Sequence, residues 1–379
     1  MTISATTQGI KPGVCLSTNR PVNPFDGQVI YMTDVDQTAV WDGTQWTVLA
    51  PIAGGRNRII NGDFKINQRG FSSTTTSSTY GFDRWFIGFS GGTVTYSAQT
   101  FTLGSAPFAG YEGTNFARVV TASQTDAGHF AYLQQRIEDV RTFANQTITV
   151  SFFAKASTGT PTVGVVAEQQ FGTGGSSSVV TSGGTTAITT SWARYSKTIS
   201  IPSIAGKTIG TGSVALNIGL MTSVGTTISG SGYPAVGVQN ATIDFWGVQV
   251  EAGAVATPFE FEDAQVTLAK CQRYFYRTPQ VASGAIGMGY MSSATTLDFY
   301  QQFPVTMRTS ATCSASSGTN YFTATVNGVT LGASTVSAFY NVSSQGSYSR
   351  LTVASSTLGQ GGLVSTNSTS AYVDASAEL

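Results

Sequence analysis

Five acidic residues, Glu112, Asp126, Glu138, Asp139 and Glu168, are all that lie between Asp83 and Asp244. Glycoside hydrolysis needs two carboxyl groups, one to protonate the leaving oxygen and one to attack or to activate water, about 5–9.5 Å apart. Glu138 and Asp139 are neighbours, so on a strand they face opposite sides and share no substrate; in a turn that objection weakens. The lone histidine, His129, sits in Asp126-Ala-Gly128-His129-Phe130, without the Gly-x-Ser-x-Gly elbow that would make it the base of a nucleophilic triad. It reads as a structural histidine, and the chain reads as a non-enzyme, with polysaccharide cleavage the lesser alternative. Cys15, Cys271 and Cys313 are odd in number and lack metal-ligand spacing, so they read as reduced thiols made in a cytosol.

Binding is better supplied than catalysis. Sugar rings stack on exposed aromatic faces while Asn, Gln and Asp meet their hydroxyls. Tyr111, Phe130, Phe171 and Tyr233 lie close to Gly, Ser or Pro in segments that read as loops, which makes them candidate ligand-binding residues. Trp85, Trp192 and Trp246 fall in alternating strand patterns and read as core.

The composition narrows the partners. Charged residues are 10% of 379, and nineteen basic side chains cancel nineteen acidic ones, so no net field draws the chain to nucleic acid or an anionic membrane. No apolar run approaches the roughly 20 residues of a membrane span, and no signal peptide is expected. The length suits two or three domains of about 100–200 residues each.

Residues 1–55 predict a three-stranded meander. Gln28–Met32, Thr38–Trp41 and Gln45–Val48 alternate with period two, and Asp42-Gly43 marks a hairpin. So small a sheet cannot bury Tyr31, Trp41 and Trp46 by itself. It packs either against another chain or, as an edge hairpin, on the following domain. Residues 56–262 read as ten short strands, from Arg58–Phe64 to Ala241–Glu251, with Gly172–Thr190 a long loop or hairpin tip, which predicts a β-sandwich or barrel. A helix is expected over 263–277, capped by Asp263, with Ala264, Leu268, Cys271 and Phe275 on one stripe. That stripe packs either on its own domain or, through Leu268, Cys271 and Phe275, against other copies. Residues 281–379 carry five charged residues and clean alternation, predicting a second, smaller β-sandwich. The fold class is all-β.

Three motifs in order carry a resemblance: Asn61-Gly-Asp63-Phe64-Lys-Ile-Asn-Gln68-Arg69-Gly70, then Val248 to Glu260 with its Thr257-Pro258-Phe259, then Leu268-Ala-Lys-Cys271-Gln272-Arg273-Tyr274-Phe275-Tyr276-Arg277. Over about residues 56–280 the chain resembles the carbohydrate-binding-module-like jelly rolls of bacteriophage tail fibres and related virion proteins. The N-terminal pattern also resembles a module that sits on the virion side of such proteins, giving Tyr31, Trp41 and Trp46 an anchoring role. The resemblance implies a homotrimeric virion protein, made in the host cytoplasm and placed in the tail, that grips host surface glycans. A capsid decoration or head-fibre protein is the alternative. It implies no cofactor other than a structural calcium at Asp63 and Asp244, two residues that could equally pin the closing of the sheet.

Overall fold

Apolar and polar residues alternate along most of the chain, and Gly, Asn and Ser interrupt them; the outcome is almost entirely β in the computed structural model, which describes residues 12–34, 37–48 and 55–379. Strands β1 (Gly13–Cys15), β2 (Val29–Met32), β3 (Gln37–Trp41) and β4 (Trp46–Val48) form one sheet in that order. The expected meander is β2–β4, to which β1 adds a parallel strand. Ile30, Met32 and Ala39 pack beneath Cys15, Trp46 and Val48. Asp42 organises the β3–β4 turn by accepting the N–H groups of Thr44 and Gln45, both at 2.9 Å. Residues 1–11, 35–36 and 49–54 of the expected unit lie outside the described residues.

Twelve strands build the central sandwich: β5 (Ser73–Thr74), β6 (Thr79–Tyr80), β7 (Phe86–Ser90), β8 (Thr93–Thr100), β9 (Asn115–Ala122), β10 (Phe130–Glu138), β11 (Thr147–Ala156), β12 (Thr162–Thr173), β13 (Val179–Ala187), β14 (Ala193–Ser200), β15 (Thr211–Val224) and β16 (Ala241–Ala252). The chain passes back and forth between two antiparallel sheets, ordered β13-β12-β15-β10-β7-β6 and β14-β11-β16-β9-β8-β5. Between them lies one core, with Phe64, Trp85, Tyr96, Phe152 and Phe245 fully buried. Between β15 and β16 stands the one-turn helix α1 (Thr226–Ser229).

Two expectations for this region need correction. Arg58–Phe64 is not a regular strand: Asn61 and Phe64 take φ of 59° and 55°, and Asn61 turns the chain by bonding Ile66 N and O at 2.9 and 2.8 Å. Gly172–Thr190 is not one long loop, because Val179–Ala187 pairs along β12. Its Val and Thr residues suit an extended edge despite the intervening glycines.

The linking helix is shorter than expected. Helix α2 (Ala264–Gln272) starts at Asp263, whose carboxylate accepts Gln265 N–H at 2.8 Å, as predicted. It stops at Gln272 because the backbone beyond bonds elsewhere: β17 (Phe275–Arg277) pairs with β26 (Val373–Ser376), and Arg273 O accepts Arg308 N–H at 2.7 Å. Cys271 is fully buried and Phe275 nearly so, and Leu268 is half-buried, so two of the three residues expected to contact other copies are enclosed by their own chain.

The remaining strands are β18 (Ala285–Ser293), β19 (Thr296–Gln302), β20 (Thr312–Ala315), β21 (Phe322–Val326), β22 (Val329–Ala333), β23 (Val336–Tyr340), β24 (Gly346–Thr352) and β25 (Gly361–Thr366). Seven form the sheet β22-β21-β25-β18-β19-β24-β23, and β17-β26-β20 form a small one. Leu297, Phe299, Phe322, Leu351 and Val364 make a separate core. Ion pairs tie this half to the sandwich. Arg84 and Arg69 meet Glu378, and Arg273 clamps Glu138 at 2.7 and 2.9 Å; within the small sheet, Arg277 binds Asp374 through two 2.7 Å bonds.

Candidate functional site

The two outer faces of the sandwich have opposite character, and the motif residues explain one of them. On β16, Phe245 points inward to Phe152 while Trp246 points outward, where Phe153, Phe259, Tyr111 and Phe101 surround it at 5.4–6.1 Å between ring centroids. Trp246 has no exposed surface. The segment after β16 folds back to close this face. Glu251 accepts Thr257 N–H at 2.9 Å and its hydroxyl at 2.6 Å, and Gln249 Oε1 accepts Glu260 N–H at 2.8 Å. Glu260 in turn accepts the N–H groups of Gly55 and Asn57 at 2.6 and 2.7 Å, joining the returning segment to the chain that enters the sandwich. Gly62 lies so close to β16 that a Cβ would stand 2.1 Å from Val248 O, which explains the Asn-Gly pair.

The other face is covered from outside at its two ends, the outward residues of its central strand are themselves buried, and the longer side chains beside them are half-exposed. On β15, Leu216, Ile218 and Leu220 enter the core, which leaves Ala215, Asn217, Gly219 and Met221 outside. Register places Glu168, Asn217 and Arg136 in one row, Val166, Gly219 and Gln134 in the next, and Gly164, Met221 and Tyr132 in a third. With nothing on Gly219 and longer side chains on both neighbours, β15 floors a trough between β12 and β10. Asn217, 2% exposed, donates to Glu168 Oε2 at 3.4 Å, whereas its Oδ1 and the Oε1 of Gln170 have no partner within the chain.

Aromatic rings line the β10 bank. Phe130 and Tyr132 stack at 5.8 Å and 8°, Tyr132 faces Phe86 at 6.4 Å, and Tyr80 follows at 5.3 Å. Tyr132 lies over Gly88, where a Cβ would meet its ring at 2.3 Å. From the chain after α1, Tyr233 joins Val166, Met221 and Tyr132 in a small cluster at one end, while Tyr274 and Leu379 cap Ala215 at the other. Burial and then the Glu168 carboxylate push the Tyr233 phenol up to about 12. Burial raises Tyr132 as well, so both hydroxyls stay protonated and able to donate. Aromatic faces beside carboxamides and a carboxylate suit a sugar, which has an apolar C–H face and a hydroxyl edge.

Of the four predicted ligand-binding aromatics, the structure brings Phe130 and Tyr233 to this face. The other two are corrected. Phe171 is 1% exposed, because β12 extends through it and its ring points inward. Tyr111 belongs to the closed face: its ring covers Phe261 at 4.0 Å and its hydroxyl donates to Asp63 at 3.1 Å. Tyr132, Gln134, Glu168 and Asn217 were missed. The outward series Phe130-x-Tyr132-x-Gln134-x-Arg136 was the available signal, but it lies inside a strand rather than a loop. Trp85 and Trp246 are core as expected, and Trp192 is half-buried against Phe101 and Phe116.

Asp63 and Asp244 do not fit a calcium site. Arg118 grips both oxygens of Asp244 at 2.6 and 2.9 Å with Lys155 at 3.8 Å, and Lys65 stands 3.3 Å from Asp63, so cations already meet both carboxylates. Among the described residues no three of His, Cys, Asp and Glu are grouped to hold a metal. The other acids are also engaged. Glu112 accepts Gly104 N–H at 3.1 Å, Asp126 accepts Gly128 N–H at 2.9 Å, and Asp139, in a turn with φ of 73°, binds Arg141 at 2.8 Å. His129 Nδ1 accepts Thr125 N–H at 3.3 Å, a structural role. In the N-terminal sheet Trp41 and Trp46 pack edge to face at 5.7 Å, and Tyr31 is half-buried.

No protein-family profile and no curated protein matches this sequence. Among solved structures, the chain is similar over 52% of its length to the enzymatically active domain of tailspike protein 4 from bacteriophage CBA120, with 15% identity and a TM-score of 0.30, spanning 21% of that chain. It is similar over 51% of its length to a family 4 carbohydrate-binding module, at 18% identity and a TM-score of 0.28, covering 97% of that chain. A sugar-binding protein from Bacteroides thetaiotaomicron matches 52% of this chain at 14% identity and a TM-score of 0.32, covering 99% of that chain.

Proposed function

We propose that the chain is a structural protein of a tailed-bacteriophage virion, a tail fibre that attaches to host-cell glycans through the trough face of its central sandwich. The observation that carries the glycan reading is the row of rings itself: Phe130, Tyr132 and Tyr233 stand half-exposed on one face with the Glu168 carboxylate. The virion reading rests on the three sequence motifs. Val22 and Phe25, 92% and 69% exposed in the connection between β1 and β2, favour docking of that module on a larger particle.

Adhesion, not cleavage, fits the trough, because Glu168 stands without the second free carboxylate that hydrolysis needs. Weak contacts of this kind gain strength when three copies act together. The test is a glycan array probed with the full chain. Binding that falls at least about tenfold in Tyr132→Ala and Tyr233→Ala, with the fold intact by circular dichroism, supports the reading. Full binding by both variants overturns it.

A further inference from the structure

The charges around the trough carry the glycan reading one step further, to the class of glycan, and this step rests on that reading. Glu168 is half-buried on the β12 bank, and its one side-chain partner is Asn217 at 3.4 Å. No Lys, Arg or His approaches it within ion-pair distance among the described residues, unlike Asp244, Glu138 and Asp298, each gripped by an arginine through two bonds.

Arg136 shares the row with Glu168, but Asn217 separates them. Its guanidinium is drawn the other way: Nη1 donates to Leu379 O, and Cζ lies 4.9 Å over the Phe86 ring on the neighbouring strand. The two phenols nearest Glu168, those of Tyr132 and Tyr233, are neutral donors. The mouth of the trough therefore presents an uncompensated negative charge beside aromatic faces.

We infer that Glu168 makes the trough selective for neutral glycans carrying a free pair of adjacent hydroxyls, and rejects chains acidic at the same position, such as uronates or phosphorylated sugars. A carboxylate has two oxygens that accept hydrogen bonds, and two vicinal hydroxyls can donate to both at once. A ligand carboxylate or phosphate there meets like charge across a partly desolvated face, and exclusion by repulsion is how binding sites commonly discriminate.

The experiment uses the full chain on an array of bacterial-surface oligosaccharides containing matched pairs, each a neutral sugar and its C6-oxidised uronate. Native protein and the Glu168→Gln and Tyr132→Ala variants are compared at low and moderate salt. Glutamine keeps the shape and removes the charge. The expected result is a preference of at least about tenfold for the neutral member, shrinking toward one in Glu168→Gln and with added salt, since screening weakens the repulsion.

If native protein binds and Tyr132→Ala abolishes binding, yet the ratio is the same in native and Glu168→Gln proteins, the charge inference falls and the trough reading stands. If Tyr132→Ala binds as well as native, or no pair is bound at all, the trough reading falls and the inference with it. A native preference for the uronate member also overturns the inference.

Discussion

The two outer faces of the central sandwich start from similar materials, aromatic and amide side chains on a six-stranded sheet, and end differently. On one, Trp246 disappears beneath Phe259, Phe153 and Tyr111, and Gln249 and Glu251 spend their hydrogen bonds on the returning segment 257–260. On the other, Phe130 and Tyr132 stay half-exposed, and Asn217 and Gln170 keep unfilled acceptors. The difference lies in the chain that follows each strand. The segment after β16 brings Thr257 and Glu260 to the Gln249 and Glu251 side chains, whereas the segment after β15 brings Tyr233, Pro234 and Val236 to one end only. The returning segment supplies stability to the first face; the half-exposed rings beside Glu168 are what the second offers a ligand.

This contrast is broken most forcefully by removing the centre of the closed face. Trp246→Ala should cost about 3–5 kcal/mol, as expected for deleting a large buried aromatic, and should show as a large drop in the midpoint of chemical denaturation. Tyr132→Ala, half-exposed, should cost about 1 kcal/mol while abolishing glycan binding. Equal stability losses would mean that the faces are not functionally distinct.

Gly62→Ala comes next. Its Cβ would collide with Val248 O at 2.1 Å and push the Asn57–Phe64 segment off β16, so a loss of about 2–3 kcal/mol is expected from overpacking against backbone. Binding per folded molecule should be unchanged. Glu260→Gln, which removes the charge that receives Gly55 and Asn57 N–H, should lower stability by about 1–2 kcal/mol without affecting the array profile.

How much of this was legible beforehand depended on periodicity. Strands such as β8, β9, β10, β11 and β16 alternate strongly, and their existence and the all-β class follow from that pattern. The Arg58–Phe64 segment misled because it is apolar and sits beside β16, yet left-handed φ angles at Asn61 and Phe64 break the extended run. The helix was read five residues too far because Phe275 continues its stripe; Phe275 instead pairs with Ser376 of β26, a partner distant in sequence that no local pattern reports.

The candidate site was legible only in part. Phe130 and Tyr233 were found by loop-like surroundings, and the same rule selected Phe171, which is buried, and Tyr111, which is half-buried against Phe261 on the other face. What distinguishes Tyr132 and Glu168 is the outward side of particular strands at a particular register, and register is a property of the pairing rather than of either segment. The resemblance suggested calcium at Asp63 and Asp244; the Arg118 and Lys155 that meet Asp244 come from strands far away in sequence, whereas Lys65 beside Asp63 is its near neighbour in the chain.

The smallest expected effect lies at the end of the trough face. Burial would raise the Glu138 carboxyl, but hydrogen bonds from Arg273 and the Tyr274 hydroxyl outweigh it and hold the group below its ordinary 4.5. A lowered folded pKa contributes stability that is present above the ordinary value and is lost as pH falls through the lowered one. Acid below pH 4.5 should therefore loosen contact between β10 and the 273–274 segment, seen as faster amide exchange at Tyr274 with native protein but little further change in Glu138→Gln. Insensitivity of both to acid would remove that clamp from the account.

The most direct measurement is hydrogen-exchange footprinting of the full chain with the strongest oligosaccharide from the array. The account predicts slowed exchange in peptides covering 130–136, 164–170, 215–221 and 231–236, with 244–262 unchanged. Protection confined to 244–262 or to residues beyond 281, with the trough unaffected, would contradict the claim that the trough face is where this protein grips its ligand.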